Sequence, residues 1–409
     1  VLALRSTYSK NGTVHVLEWP APTSVTIRVD RISEDSRHNT TAEILVHKTD
    51  APEPHVHQAR MNLTSTRTRA DIARHCEARF PDLDWVALIE QTCVVILDKY
   101  REGEPAVNLL DVPVREGLRY RVEPIIYEQQ ANIIYGDGGL GKSMFALYLS
   151  CLIAAGCDTD KLHAEPGNVL YLDYEADPEE ARERHASISE GLEIDRPPLM
   201  YRFCYQPIYN EVEALQRIVA EHGIDFVVVD SAGPACGGIP ESAENALNFF
   251  VALRSLKVTS LTIAHVSKGG GASKGPYGSP YWRNQARSVW EVRKAQNMDE
   301  DSLEFSLWHR KVNAGKLLRP LAYRIAFGDG VTRLEHMDVR DSEELSKGLP
   351  LIERIRLALL RGSMQVGDIA EATGANAGTI RVTLTRHRDE FVNPRASEWG
   401  LASKASSVH

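Results

Sequence analysis

No stretch of this 409-residue chain carries the ~18 consecutive apolar residues that a membrane span requires; Met144 to Ala155 comes nearest. Cysteine is scarce and poorly spaced for metal, with six residues at 76, 93, 151, 157, 204 and 236 and no C-x-x-C pair. Several of these lie in apolar runs, so reduced buried thiols are expected and a structural zinc site is not. Val1-Leu2-Ala3-Leu4-Arg5 lacks the apolar stretch and small-residue cleavage site of a signal peptide, and a cytosolic (cytoplasmic) location is expected. A basic excess is also missing. The 47 Lys and Arg face 56 Asp and Glu, a net charge of −9, which excludes a chain that coats nucleic acid over its whole surface. Local basic patches stay open. With 43% hydrophobic residues, 28 Gly and 20 Pro, the chain is neither disordered nor fibrous.

Residues 1 to about 66 alternate like strands: Val25, Ile27 and Val29 face one way, and Glu43 to His47 supplies a partner. His55 and His57, flanking one Val in a Pro-rich stretch, read as part of a solvated loop. Trp85, Leu88, Ile89, Thr92 and Ile96 then recur at helical spacing, which predicts a helix over 84–100 and a small α+β domain over 1–112. From 113 to 337 the pattern is strand, Gly-rich turn, helix, strand, helix, as a parallel α/β sheet demands. Four apolar strands stand out, at 132–135, 169–172, 226–229 and 261–264. Asp177, Pro178 and Glu180 mark a helix start. Shorter strands are expected at 289–292, 303–307 and 323–327, and residues 338–348 read as a linker.

Gly136-Asp137-Gly138-Gly139-Leu140-Gly141-Lys142-Ser143 fits G-x-x-x-x-G-K-[ST] between a strand and an apolar helix. The glycines let successive N–H groups turn inward as an anion nest, and the helix adds its positive end. Lys142 is expected to reach the β- and γ-phosphates of ATP, and Ser143 to ligate Mg²⁺. Asp230 ends the strand Phe226-Val227-Val228-Val229, where a carboxylate serves the Mg²⁺ or its water. Glu175 follows the strand from Val169 and is the favoured water-orienting acid, with Asp173 and Asp177 as competitors.

With these residues in place, the segment from about Pro124 to Leu334 resembles the RecA/DnaB-type motor ATPases, especially RepA-type hexameric helicases and phage-borne AAA-family ATPases. The resemblance implies a RecA-like α/β core with Glu175 as catalytic acid. It implies that His265, in Ala264-His265-Val266-Ser267-Lys268, senses the γ-phosphate. The Gly-rich loop 269–275 would then line a central channel, with Lys268 and Lys274 gripping single-stranded DNA. It further implies a cation acting on the neighbouring subunit's nucleotide. The family's K-x-R pair is replaced here by His309-Arg310-Lys311-Val312-Asn313, so Lys311 fits best, then Arg310, with Arg287 outside the pattern.

Residues 349–409 carry eight Lys and Arg against six Asp and Glu, in an order that resembles a winged helix-turn-helix. Asn376, Thr379, Arg381, Thr383, Arg386 and Arg388 make its second helix a DNA-contacting face. Protein docking is the other use of such a module. The expected function is a DNA motor, a ring-forming replicative-type helicase and homo-oligomer, hexameric by resemblance. A regulatory or recombination ATPase that uses ATP as a switch is the alternative, and a small-molecule kinase comes third because nothing resembles an acceptor pocket.

Overall fold

The structure, a computed structural model, describes residues 5–103, 106–114, 117–266, 275–277, 280–294, 302–313, 315–339, 349–360, 362–395 and 397–402. It divides into two compact units. One comprises Val1–Leu118, Gln206–Asp225 and Asn248–Val258; the other comprises Arg119–Tyr205, Phe226–Leu247 and Thr259–His409.

In the first unit, β1 (Thr7–Asn11), β2 (Val14–Trp19), β3 (Val25–Glu34), β4 (Thr40–Lys48) and β5 (His55–Asn62) form an antiparallel sheet in chain order. The period-two pattern works as expected: Val25, Ile27 and Val29 are buried and pair with Lys48, Val46 and Ile44 of β4. α1 (Thr66–Glu77) is capped by Ser65, and α2 (Trp85–Glu102) by Asp84, whose carboxylate accepts from the Ala87 N–H at 3.0 Å. Their apolar faces, including Ile72, Trp85, Leu88 and Ile96, close one core with the inner face of the sheet. His55 and His57 correct the loop expectation. Both lie on β5, where His57 pairs with Val46 and its ring stacks on His75 of α1 at 5.1 Å. Pro52 and Pro54 precede the strand, so they delay its start without breaking its ladder.

The other elements up to residue 337 are β6 (Tyr120–Glu123), β7 (Ile126–Tyr127), β8 (Ala131–Gly136), α3 (Lys142–Ala155), β9 (His163–Ala164), β10 (Asn168–Asp173), α4 (Pro178–Gly191) and β11 (Met200–Phe203). Next come α5 (Val212–His222), β12 (Ile224–Asp230), α6 (Ala232–Ala235), α7 (Ala243–Ser255), β13 (Thr259–His265), α8 (Pro280–Gln285), β14 (Ser288–Lys294), β15 (Ser302–Val312), β16 (Leu321–Gly328) and β17 (Val331–Met337). Nine of these strands form a sheet in the order β11-β10-β12-β13-β8-β14-β15-β16-β17, and the other three a small sheet in the order β7-β6-β9. Strand β14 pairs parallel with β8 and antiparallel with β15, so the sheet changes character there. β8, β10, β12 and β13 are near-continuous apolar runs because both their faces are covered. α3 is likewise buried from Phe145 to Ile153. β17 was not legible: its sequence, Val-Thr-Arg-Leu-Glu-His-Met, is mostly polar because it forms the edge beside β16. This is an α/β RecA-like P-loop core with an N-terminal antiparallel β domain.

The C-terminal mixed region holds α9 (Leu351–Leu359), β18 (Met364–Gln365), α10 (Val366–Thr373), α11 (Ala377–Arg386), β19 (Phe391–Arg395) and β20 (Glu398–Leu401), with a sheet in the order β18-β20-β19. Ile355, Leu359, Ile369, Ile380, Leu384 and Phe391 form a separate core there. Of the expected linker, 340–348 lie outside the described residues. Among the described residues no cysteine forms a disulfide, and burial pushes the Cys151 thiol up to about 12. Among the described residues, no helix is long and apolar enough to cross a membrane, and no group of three His, Cys, Asp or Glu is placed to hold a metal.

Candidate functional site

The phosphate cradle is built by two close approaches that only glycine allows. Gly136 ends β8 against β14, where a Cβ would meet the Val292 carbonyl oxygen at 2.8 Å. Gly141 adopts φ +71°, and a Cβ there would meet Leu303 Cδ2 at 2.8 Å and Ile325 Cδ1 at 2.9 Å. Gly141 is also the N-cap of α3 and supplies no side-chain acceptor, so the first amides of that helix stay available to an anion. Lys142 is only 5% exposed, and its Nζ donates to the carbonyls of Gly136 at 3.1 Å and Asp137 at 2.5 Å. Burial pulls its ammonium below the ordinary value, against the pull of Asp230, Glu175 and Asp137. Asp137, Gly138, Gly139 and Leu140 complete the loop between β8 and α3.

Four carboxylates gather at the same end of the sheet, and each has a different anchor. β10 ends at Asp173, two residues before Glu175, and the Asp173 carboxylate accepts from the N–H groups of Glu175 and Ala176, both at 2.9 Å. Asp177 caps α4 by accepting from the Glu180 N–H at 2.8 Å. These two competitors therefore shape the turn. Glu175 is carried beyond it, where its Oε1 accepts from the Ser231 hydroxyl and lies 3.8 Å from His265 Nε2. Glu175 stays half exposed at 50%. The His265 contact, with the Ser231 hydroxyl and Lys142 behind it, holds its carboxyl below the usual range against the opposing effect of burial. Asp230 is buried. Desolvation pushes its carboxyl up to about 6, Asp173 and Glu175 add to this, and the Tyr171 and Ser143 hydroxyls oppose it. A serine hydroxyl and a carboxylate together are hard oxygen donors of the kind Mg²⁺ takes, and the crowded negative charge favours a cation there.

His265 ends β13, in register with Gly136. Its backbone carbonyl accepts from the Tyr277 N–H at 2.9 Å, and Val266 bridges to Pro276. Both ends of the Gly-rich loop are thus tied beside the acid. Lys268 and Lys274 lie outside the described residues, as does the rest of the loop except Gly275.

The three candidate trans cations sit apart from the cradle. Lys311 pairs with Val289, whose β8 partner, Ile133, precedes Gly136 by three residues. Its Nζ donates to the carbonyls of Arg283, Asn284 and Ala286 at the end of α8, which occupies its donors within its own chain. Arg310 donates to Glu291 at 2.6 Å and lies over the Trp308 ring at 5.2 Å. Arg287 is exposed, and among the described residues no ion pair of its guanidinium is found.

On α11, Ile380 and Leu384 face the small C-terminal core while Thr379, Arg381 and Arg386 are exposed, as is Arg388 beyond the helix. Asn376 caps the helix through the Gly378 N–H at 2.8 Å, and Thr383 donates back to the Thr379 carbonyl at 2.9 Å. Those two side chains serve the helix itself.

Sequence reasoning missed two participants. Ser231 follows Asp230 directly, and only the fold brings it to Glu175, 56 residues away. Tyr171 is the polar member of an aliphatic strand run, the one local signal available, and its hydroxyl donates to Asp230 Oδ2 at 2.6 Å. Beside it opens a cavity of about 220 Å³ between α3 and α4, lined by Ser143, Leu147, Tyr171, Arg182, His185 and Tyr201 among others.

Residues 105–271 match the AAA_25 family model, described as an AAA domain. No curated protein matches the chain. A solved structure of a KaiC-like protein from the hyperthermophilic archaeon Pyrococcus horikoshii aligns at 16% identity and a TM-score of 0.39, over 55% of this chain and 100% of that one. That likeness is too loose to bear on function. The cradle, its buried lysine and the family match together make 105–271 a RecA-like P-loop NTPase domain of the AAA_25 kind, which implies nucleotide binding with Mg²⁺.

Proposed function

We propose that the protein is an ATP-driven DNA motor of the cytosol, a ring-forming helicase of the kind that phages and plasmids use for replication. The observation that carries this reading is the junction at His265. Its side chain faces the Glu175 carboxylate, while its backbone is bonded to the returning end of the Gly-rich loop. Loss of a γ-phosphate at Glu175 is thereby coupled to the loop proposed to grip single-stranded DNA through Lys268 and Lys274.

Within the site, Lys142 and the loop amides bind the triphosphate and offset charge that develops during transfer. Glu175 orients the attacking water and takes its proton. Ser143 and Asp230 would hold the Mg²⁺ that accompanies the nucleotide, which would supply neutralisation of phosphate charge. The γ-phosphate side of the cradle is completed by a cation from the next subunit, in a heterologous contact that closes into a ring, proposed to be a hexamer. Arg287 suits that part best, because Lys311 and Arg310 already have partners in their own chain. Thr379, Arg381 and Arg386 on α11 give the C-terminal region, read as a winged helix, a duplex-contacting face.

Strand displacement on a forked duplex, run alongside ATPase assays with and without single-stranded DNA, tests the proposal. Displacement with stimulated turnover is the expected result. Stimulation without displacement moves the protein to the ATP-switch class, and turnover indifferent to DNA removes the motor reading.

A further inference from the structure

Tyr171 is held from every side. Its ring is 3% exposed and lies nearly parallel to that of Tyr201, with centroids 6.3 Å apart and planes 12° from each other. The two residues are register partners on β10 and β11, so backbone pairing sets the ring's direction. Packing alone would be satisfied by phenylalanine. The hydroxyl, however, reaches the neighbouring strand β12 and donates to Asp230 Oδ2 at 2.6 Å. A phenol donating to a carboxylate is among the stronger hydrogen bonds, and it removes rotational freedom that an aspartate at a strand end otherwise keeps. The same carboxylate also accepts from Ser143. Asp173, two residues on from Tyr171, is tied to backbone amides and does not compete for it.

We propose that Tyr171 is a positioning residue of the nucleotide site, whose hydroxyl fixes the Asp230 carboxylate in the orientation that serves Ser143 and the Mg²⁺ of a bound nucleotide. This rests on the P-loop reading of the site. Partners that orient a metal-binding group typically change metal affinity by roughly 10- to 100-fold when removed. The role therefore differs from that of Lys142, which acts on the phosphates whether or not Mg²⁺ is present.

The test is a titration of Mg²⁺ into purified full-length protein with a fluorescent ATP analogue, for wild type, Tyr171→Phe, Tyr201→Phe, Asp230→Asn and the Tyr171→Phe/Asp230→Asn pair. For Tyr171→Phe, analogue affinity in excess chelator is expected to match wild type. The Mg²⁺ concentration for half-maximal tight binding should rise about tenfold, and turnover should recover as Mg²⁺ is raised. In the Asp230→Asn background the same change is expected to add nothing. Tyr201→Phe, which loses a bond to the Ala176 carbonyl and none to Asp230, should follow wild type. A Tyr171→Phe titration that overlays wild type overturns the proposal. So does an equal shift in Tyr201→Phe, or an undiminished one without Asp230. If Tyr171→Phe does not fold, 3-fluorotyrosine placed at position 171 alone in the wild-type chain keeps the question open to test. Its ¹⁹F resonance is expected to move when Mg²⁺ joins bound nucleotide, and a static resonance overturns the proposal. Failure of wild type to bind the analogue with or without Mg²⁺ would instead remove the P-loop reading itself.

Discussion

The nucleotide edge of the core and the outer face of α11 hold their polar side chains in opposite ways. At the nucleotide edge, Lys142 and Asp230 are 5% and 3% exposed, and Asp173, Glu175 and Asp230 each have a named anchor. On α11 and just beyond it, Arg381, Arg386 and Arg388 are exposed, and no ion pair is found for them among the described residues. Buried charges are tolerated only when paired and directed, so the first region acts at defined atoms. Exposed arginines on a small helix keep their hydration and mobility, which suits a salt-dependent, sequence-tolerant contact with phosphates.

That contrast predicts steep losses at the first site and graded ones at the second. Lys142→Ala should leave the fold intact and lower turnover by about 10³-fold or more, because no other cation lies within the loop. ATPase assays, with circular dichroism as the check on folding, decide this, and near-normal turnover would break the comparison at its strongest point. Glu175→Gln should slow turnover by about 10²- to 10⁴-fold while nucleotide affinity stays near wild type. Single-turnover kinetics beside equilibrium binding separate the two effects. A weakened affinity with normal turnover would assign Glu175 to binding.

Arg381→Ala should weaken duplex binding only several-fold, and should reduce the slope of log affinity against log salt by about one. Removing the whole region from Leu349 is a poorer test. Leu349 and Leu357 pack with Trp308 and Ala322 of the core, and truncation would uncover that cluster. An unchanged salt slope would move the C-terminal region toward protein docking.

The smallest expected effect is on stability against pH. Burial lowers His15 and His309 to about 4 each, so both are neutral in the folded protein at neutral pH. The unfolded chain binds those protons first, near 6.5, so stability is lost as pH falls from about 6.5 toward 4. Asp230, raised to about 6, works in the opposite direction: its contribution is fullest at low pH and is lost as pH rises through 6. A melting temperature that falls by several degrees between pH 6.5 and 4 is expected, and replacing His309 with Phe should flatten that decline. Its ring stacks on Trp290 at 4.2 Å, and Phe retains that contact.

The phosphate cradle was legible in the sequence because its parts are contiguous. Eight residues supply the nest, the lysine and the hydroxyl, and the strand and helix on either side follow from local apolar patterning. The helix caps at Ser65, Asp84 and Asp177 depend on residues only three positions away, and Asp84 and Asp177 stood where a helix start was read. The histidines on β5 were misread because nearby prolines outweighed a short alternating pattern, and pairing with β4 settled the matter.

What sequence alone determined was therefore everything set within about ten residues: the P-loop, the strands that end in acids, the helix starts, and the exposed basic face of α11. The tertiary structure tied Asp173 to amides and Asp177 to a helix end, and brought Glu175 to Ser231 and His265, the arrangement on which its proposed role as the water-orienting acid rests. It also decided that Lys311 holds the end of α8 and that Tyr171 reaches Asp230. The partners in these two contacts lie 25 and 59 residues apart, and no local pattern encodes which side chains will meet across a sheet.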